Sequence, residues 1–361
     1  MIKSKSPFYV TTPFVNPLGG AVSGESYTLT ILVWNGVKAS PPTATASNSY
    51  VITKTNPTSS TGSDKINIAR LINDFIDFTP VSTTATSVIN GSNNWWCKTS
   101  VFYENDATVQ QAATKLFSLG YSYGNEGENV ESISNFLASA TAEYRADRNS
   151  VFTVPILVDE AVTTAVTIIS YPDNEINFSS TIAATTTSGQ LVKLLWIELA
   201  DTTTDTYITV KKDTVSIATI IIKDEYKYTP VDIVFLNKEG SQETITFFKE
   251  KIDRLNVSKE SYESDSGQPS AGNHQFKEYN VQAKSSFSIN SGFVHESYND
   301  VFNELMLSDR VWIYDGSFTP INIKTSSIEY KTRQRNRLIN YLVDYEYSYN
   351  EVNNIWLLKF T

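Results

Sequence analysis

Residues 297–307 read SYNDVFNELML, and on a helix Tyr298, Val301, Phe302, Leu305 and Met306 share one face. Ser297 with Asp300 predicts a capping box at its start. Long runs of strand-type residues lie on both sides, and nearly all the remaining chain reads as strand and turn. This pattern sets one amphipathic helix against a large antiparallel sheet. The expected fold class is mostly β: several antiparallel β-sandwich-like domains, with one amphipathic helix in the C-terminal domain.

Composition points the same way. The chain has 361 residues, 40% of them apolar and 19% charged, with 20 Tyr, 18 Phe and 6 Trp. Aromatic and β-branched residues suit pleated, half-buried surfaces. The length allows two or three domains. A formal net charge of -10 opposes binding to nucleic acid phosphates and anionic membranes, so neither is expected as a partner. The single Cys97 excludes an intrachain disulfide framework and, following Trp95 and Trp96, reads as a buried structural thiol. The N-terminal stretch lacks an apolar signal core, and the longest apolar run, Ile217–Ile222, is strand-sized. A soluble protein made in a reducing compartment is the expectation.

Working outward from the helix, the strands announce themselves by alternation and by their turns. Tyr27–Trp34 alternates before Asn35-Gly36, a hairpin signal. Residues 66–78 carry a helical stripe of Ile68, Leu71, Ile72, Phe75 and Ile76 and favour a short helix. Val151–Val158 is apolar on both sides of Pro155, which calls for an edge strand or a bulge. Val231–Leu236 turns at Asn237–Gly240 and returns through Thr244–Phe248. Asp315-Gly316 and Thr319-Pro320 read as further turns. Three domains are expected: 1–155, an N-terminal β-sandwich; 156–225, a small middle β domain; and 226–361, a C-terminal β domain with the flanking helix 297–307.

Catalytic signatures are absent from the sequence. With His274, His295 and one Cys, neither a zinc site nor a Cys–His couple is spelled out. Asp344 and Glu346 share one face of a strand, where two carboxylates are more often solvated than catalytic. No nucleotide-binding, nucleophile-elbow or EF-hand motif occurs. The expectation is a protein that is not an enzyme and takes no cofactor or metal. One basic cluster stands out: Lys331, Arg333, Arg335 and Arg337 alternate with polar residues, either as a solvated turn or as a knob for an acidic surface. Tyr341, Tyr345, Tyr347 and Tyr349 follow, as interface anchors or as cover for the protein's own core.

Several segments in order resemble a known family. They are YTLTILVWNG (27–36), INIARLINDFI (66–76), GYSYGNEGEN (120–129), VDIVFLNKEG (231–240) with ETITFFKEK (243–251), and SINSGFVHESYNDVFNELMLSDRVWI (288–313). Together they resemble virion structural proteins of tailed bacteriophages, of the tail or baseplate kind. Distal-tail and tail-tube proteins are similar in form, with a β-sandwich, a flanking helix and ring assembly. The resemblance implies a homo-oligomeric ring in the virion tail, made in the host cytoplasm and touching other tail or connector proteins. It implies neither enzyme activity nor a cofactor. Lys331, Arg333, Arg335, Arg337, Tyr345 and Tyr347 are the candidate interface residues. The alternative is a carbohydrate-binding or adhesin-type β-sandwich, with Trp95-Trp96 as a sugar platform.

Overall fold

Alternating patterns become strands throughout this computed structural model, which describes residues 1–13, 26–42, 49–55, 63–91, 94–104, 106–122, 129, 136–139, 143–173, 175–184, 190–201, 206–264, 272, 274–327 and 339–349. Ile2–Lys3 (β1), Tyr9–Pro13 (β2), Ser26–Asn35 (β3), Ser49–Thr55 (β4) and Ser63–Asn67 (β5) precede a short helix, Ala69–Asn73 (α1). Next come Ser87–Asn90 (β6), Trp95–Tyr103 (β7), Asp106–Ser118 (β8), Tyr144–Asp147 (β9) and Val151–Asp159 (β10). Thr164–Tyr171 (β11), Ile176–Ile182 (β12), Gln190–Glu198 (β13), Tyr207–Lys212 (β14) and Val215–Lys223 (β15) follow. The last third holds Val231–Leu236 (β16), Gln242–Phe247 (β17), Lys251–Glu263 (β18), Phe276–Asn290 (β19), Tyr298–Leu307 (α2), Val311–Tyr314 (β20), Phe318–Ile323 (β21) and Leu342–Tyr347 (β22). The fold is mostly β, as the sequence predicts.

The chain divides into two compact units, Met1–Lys223 with Leu236–Thr244, and Asp224–Phe235 with Ile245–Thr361. The expected boundary at 155/156 falls inside β10, which pairs with β13 without interruption from Val151 to Asp159. In the first unit, sheets run β1-β8-β7-β3-β4, β10-β13-β6 and β12-β11-β14-β15-β9, with β2-β5 beside them. Phe152, Val154, Ile156, Leu195 and Ile197 from the middle sheet share one core with Val166, Ile168, Ile208, Val210 and Ile220 of the β11 sheet. Leu157 and Val192, on the other side, join Leu32, Trp34, Trp96 and Leu116 of the β3–β7–β8 sheet. A layer buried on both faces needs apolar residues at every position, which explains why VFTVPILV does not alternate.

Pro155 sits where its missing N–H costs least. Strand β10 is an outer strand of its three-stranded sheet, and the Pro155 carbonyl accepts from Leu137 N (3.1 Å), away from β13. The N–H that proline lacks would point to that same side, so the β13 ladder is intact. Asn35-Gly36 does turn the chain, with Gly36 at φ 111, but β4 starts only at Ser49, so no two-residue hairpin forms there. Thr319-Pro320 is likewise not a turn; it lies within β21.

The second unit is built on one seven-stranded sheet, β17-β16-β20-β21-β22-β19-β18. Its core face gathers Ile233, Phe235, Val311, Ile321, Val343, Tyr345, Phe287 and Ile289 under Tyr298, Val301, Phe302 and Leu305 of α2. The helical stripe is therefore read correctly, except that Met306 is half-buried and Glu304 is buried instead. The capping box does not form. Ser297 already has helical torsions (φ −61, ψ −15), and no side-chain bond caps the helix. Its hydroxyl lies 2.9 Å from His295 Nδ1, which also accepts from Ser297 N (3.2 Å). A cap residue normally sits in the β region to reach the free N–H groups, and Ser297 does not.

Candidate functional site

The cationic half of the expected site, Lys331, Arg333, Arg335 and Arg337, lies outside the described residues. Tyr345 and Tyr347 are placed on β22 by the alternation of LVDYEY. Tyr345 is fully buried, stacked on Phe287 with ring centroids 4.9 Å apart, and burial raises its phenol well above the ordinary range. Tyr341 is equally buried and lies 4.3 Å from the Phe302 ring. These two rings serve the protein's own core. Tyr347 is half-buried, edge-on to Phe287 and stacked with Tyr349 at 5.2 Å. It borders a cleft of about 620 Å³ in the second unit, with Tyr228, Lys251, Tyr314 and Asp315 also on its walls. The cleft offers aromatic faces and both signs of charge.

The Trp95-Trp96 pair does not form a joint platform, because Trp96 is buried while Trp95 is half-exposed. Trp96 is 2% exposed and donates from Nε1 to the Gly36 carbonyl (3.0 Å), while Trp95 donates to the Asp77 carbonyl (3.0 Å). A sugar platform needs an open ring face, and Trp96 has none. Cys97 beside it is buried, and desolvation pushes its thiol up to about 12, so it is inert at neutral pH.

The carboxylate pair on β22 is spent on ion pairing. Asp344 Oδ1 accepts from the Ser288 hydroxyl and lies 4.0 Å from Arg254. Glu346 accepts from Lys284 Nζ (2.5 Å) and Lys324 Nζ (2.9 Å). Burial works to raise the Glu346 carboxyl, but these two lysines outweigh it and hold it below its ordinary value of 4.5. A folded pKa below the unfolded one gives stability that is present above about pH 4.5 and lost as pH falls through the folded value. Glu346→Gln is expected to lower stability at pH 7 by about 1 kcal/mol, since both lysines are partly solvated. It should also flatten the pH dependence of denaturation below pH 4.5. An unchanged acid limb would mean that the lysine contacts contribute nothing.

The sequence reads as a long strand at Tyr279–Phe287, which lies within β19, but it does not show β18, and the two form a long ribbon. Strand β18 is thirteen residues long and exposed at every one. Strand β22 pairs with β19 only over Ser286–Asn290, so toward its tip the β18–β19 ribbon has no further strand beside it among the described residues. Phe276 to Lys284 alone spans roughly 30 Å of extended chain. A bulge with Asn280 at φ 49 kinks the ribbon between Ser258 and Glu260. Leu255 (63% exposed), Val257 (47%) and Phe276 (64%) put apolar surface into solvent. Cross-strand bonds such as Lys259–Glu278 (2.7 Å) and Asn280–Glu260 (3.1 Å) brace it. An isolated two-stranded ribbon is only marginally stable in water, so this one is suited to a partner.

Among the described residues, no group of three or more His, Cys, Asp or Glu could hold a metal ion, and no helix is long and apolar enough to cross a membrane. Comparisons with protein-family models, with curated proteins and with solved structures find no match for this chain.

Proposed function

We propose that this protein is a non-catalytic structural component of a bacteriophage tail or baseplate, acting by self-association and by contact with other virion proteins. The observation that carries the reading is the β18–β19 ribbon, a long, solvent-exposed extension of a sheet edge with apolar residues along it. Edges of this length are normally covered or kept short, because they template pairing with another chain. The family resemblance supports the same reading and adds a homo-oligomeric ring, with tail or connector proteins as neighbours. The basic segment Lys331–Arg337 supplies positive charge for the acidic surface of an adjacent copy.

Size-exclusion chromatography with light scattering on the purified full chain tests it. A defined oligomer, whose population grows with concentration, is the expected result. A monomer at every concentration up to about 100 μM would overturn it, since subunit contacts in a stable assembly have micromolar or tighter constants.

A further inference from the structure

Strand β18 reads KIDRLNVSKESYE from Lys251 to Glu263. Reversed about Val257, this pattern complements itself. Laid antiparallel against a second copy with Val257 opposite Val257, Lys251 faces Glu263 and Arg254 faces Glu260, each twice by symmetry. Ile252 faces Tyr262, and no like charges oppose. Shifting the register by one residue in one direction sets Asp253 against Glu260 and Arg254 against Lys259. Shifting it in the other direction leaves no opposed ion pair at all. Pairs directly across antiparallel strands are close enough for these differences to select the register.

We propose that β18 is a two-fold docking edge, at which two copies of this chain join through antiparallel β18–β18 pairing centred on Val257. The proposal rests on the self-association reading and names its surface. Strand β18 ends the order of its seven-stranded sheet, bonded on one side to β19, so its outer backbone groups face solvent among the described residues. Pairing there joins two seven-stranded sheets into one continuous sheet and satisfies both edges with the same surface patch, as a two-fold interface requires.

Packing and charge favour a second copy over a different partner. Leu255 and Val257 share one face of the ribbon, where Ser285 and Ala283 lie opposite them on β19. In the centred register the Leu255 and Val257 side chains of both copies come together on that face. Residues 251–290 hold five basic and five acidic residues, so the ribbon is neutral while the remainder of the chain carries the whole net charge of -10. Two such acidic bodies repel, and a neutral arm reaching outward is where they can meet with least opposition. The charges on β18 are also what a lone edge would use to discourage unselective pairing. In the centred register they become the selectivity.

Val257→Cys in the full-length protein tests the register directly. Opposed residues at the two-fold have Cβ atoms about 4.5–5.5 Å apart, and a small closing motion of the paired strands brings them to the roughly 3.5–4.5 Å of a disulfide. Mild oxidation should give a disulfide-linked dimer. Ser261→Cys should not, since Ser261 faces Asp253 and the two Ser261 residues lie roughly 27 Å apart along the paired strands. The native Cys97 is buried and should leave the unmodified protein uncoupled. Arg254→Glu should raise the dissociation constant of the pair at least about tenfold by setting like charges opposite each other, and adding Glu260→Arg should restore it. An oligomer that persists through Arg254→Glu, with no Val257→Cys link, overturns the β18 contact and leaves self-association standing. A monomeric unmodified protein overturns both.

Discussion

Phe302→Asp is expected to unfold the second unit. Phe302 is fully buried on α2, with its ring 5.9 Å from Phe247, 4.3 Å from Tyr341 and 6.4 Å from Tyr298. Removing a buried phenyl ring alone costs about 3–5 kcal/mol, because the sheet below cannot follow the helix into the cavity. The aspartate adds a desolvated polar group with no partner in that cluster, at about 1–3 kcal/mol or more. The sum is comparable to the entire stability of an ordinary domain, about 5–15 kcal/mol. Chemical denaturation followed by near-ultraviolet circular dichroism should show the transition of this unit shifted to much lower denaturant or lost. Leu307→Asp, on the same helix but 54% exposed, should change it by no more than about 0.5 kcal/mol. Equal behaviour of the two variants would mean that α2 does not cover this core.

The second large effect concerns the turn after β16. Gly240 has φ +73, and a Cβ placed on it would lie 2.5 Å from Gly120 N and 2.8 Å from Leu119 N. The approach is mutual, since a Cβ on Gly120 would meet the Lys238 carbonyl oxygen at 2.4 Å. Both obstacles are backbone, held by Tyr121 N donating to Lys238 O (2.8 Å), and Asn237 Oδ1 fixes the turn by accepting from Glu239 N and Ser241 N. Gly240→Ala therefore combines a left-handed penalty of about 1–2 kcal/mol with a main-chain collision, for a total of about 4 kcal/mol. Gly316→Ala is the control. Its φ is +89, yet nothing lies within 4 Å of its Cβ position, so only the torsional part, about 1–2 kcal/mol, should appear. Thermal or urea denaturation of both variants separates the two terms, and equal losses would refute the close approach of residues 119–120 to the turn.

The legible parts of this fold are those where burial is one-sided or where a turn needs a particular residue. The α2 stripe, β3 and β16 fall where the pattern puts them, and the turn at 237–240 fits its Gly at positive φ. Strand β18 is not legible, because its few apolar residues are split between the two faces, Ile252 and Tyr262 on one and Leu255 and Val257 on the other, and make no sustained alternation. Strand β12, with its edge and most of its side chains in solvent, is not legible either. The Ser297 cap misleads because spacing says nothing of His295, which engages the same hydroxyl. Tyr345 and Tyr347, two residues apart, look alike as anchors. Both rings reach Phe287 and both line the same cleft, and only the folded structure shows that Tyr345 is fully buried there while Tyr347 is half-exposed. Candidate site residues are thus harder to read than strands, since a surface is defined by what fails to cover it.

The middle layer of the first unit bears on how this protein can change over evolution. Strands β10 and β13 lend one face to each of two hydrophobic clusters, so neither outer sheet owns a complete interior. A recombination event that cut near residue 155 would leave each product with half of a two-sided sheet bared to water. Insertions at loop tips leave both interiors whole, but exchange of the flanking sheets as separate cassettes does not. The sheets of the first unit are therefore expected to tolerate replacement together but not one at a time.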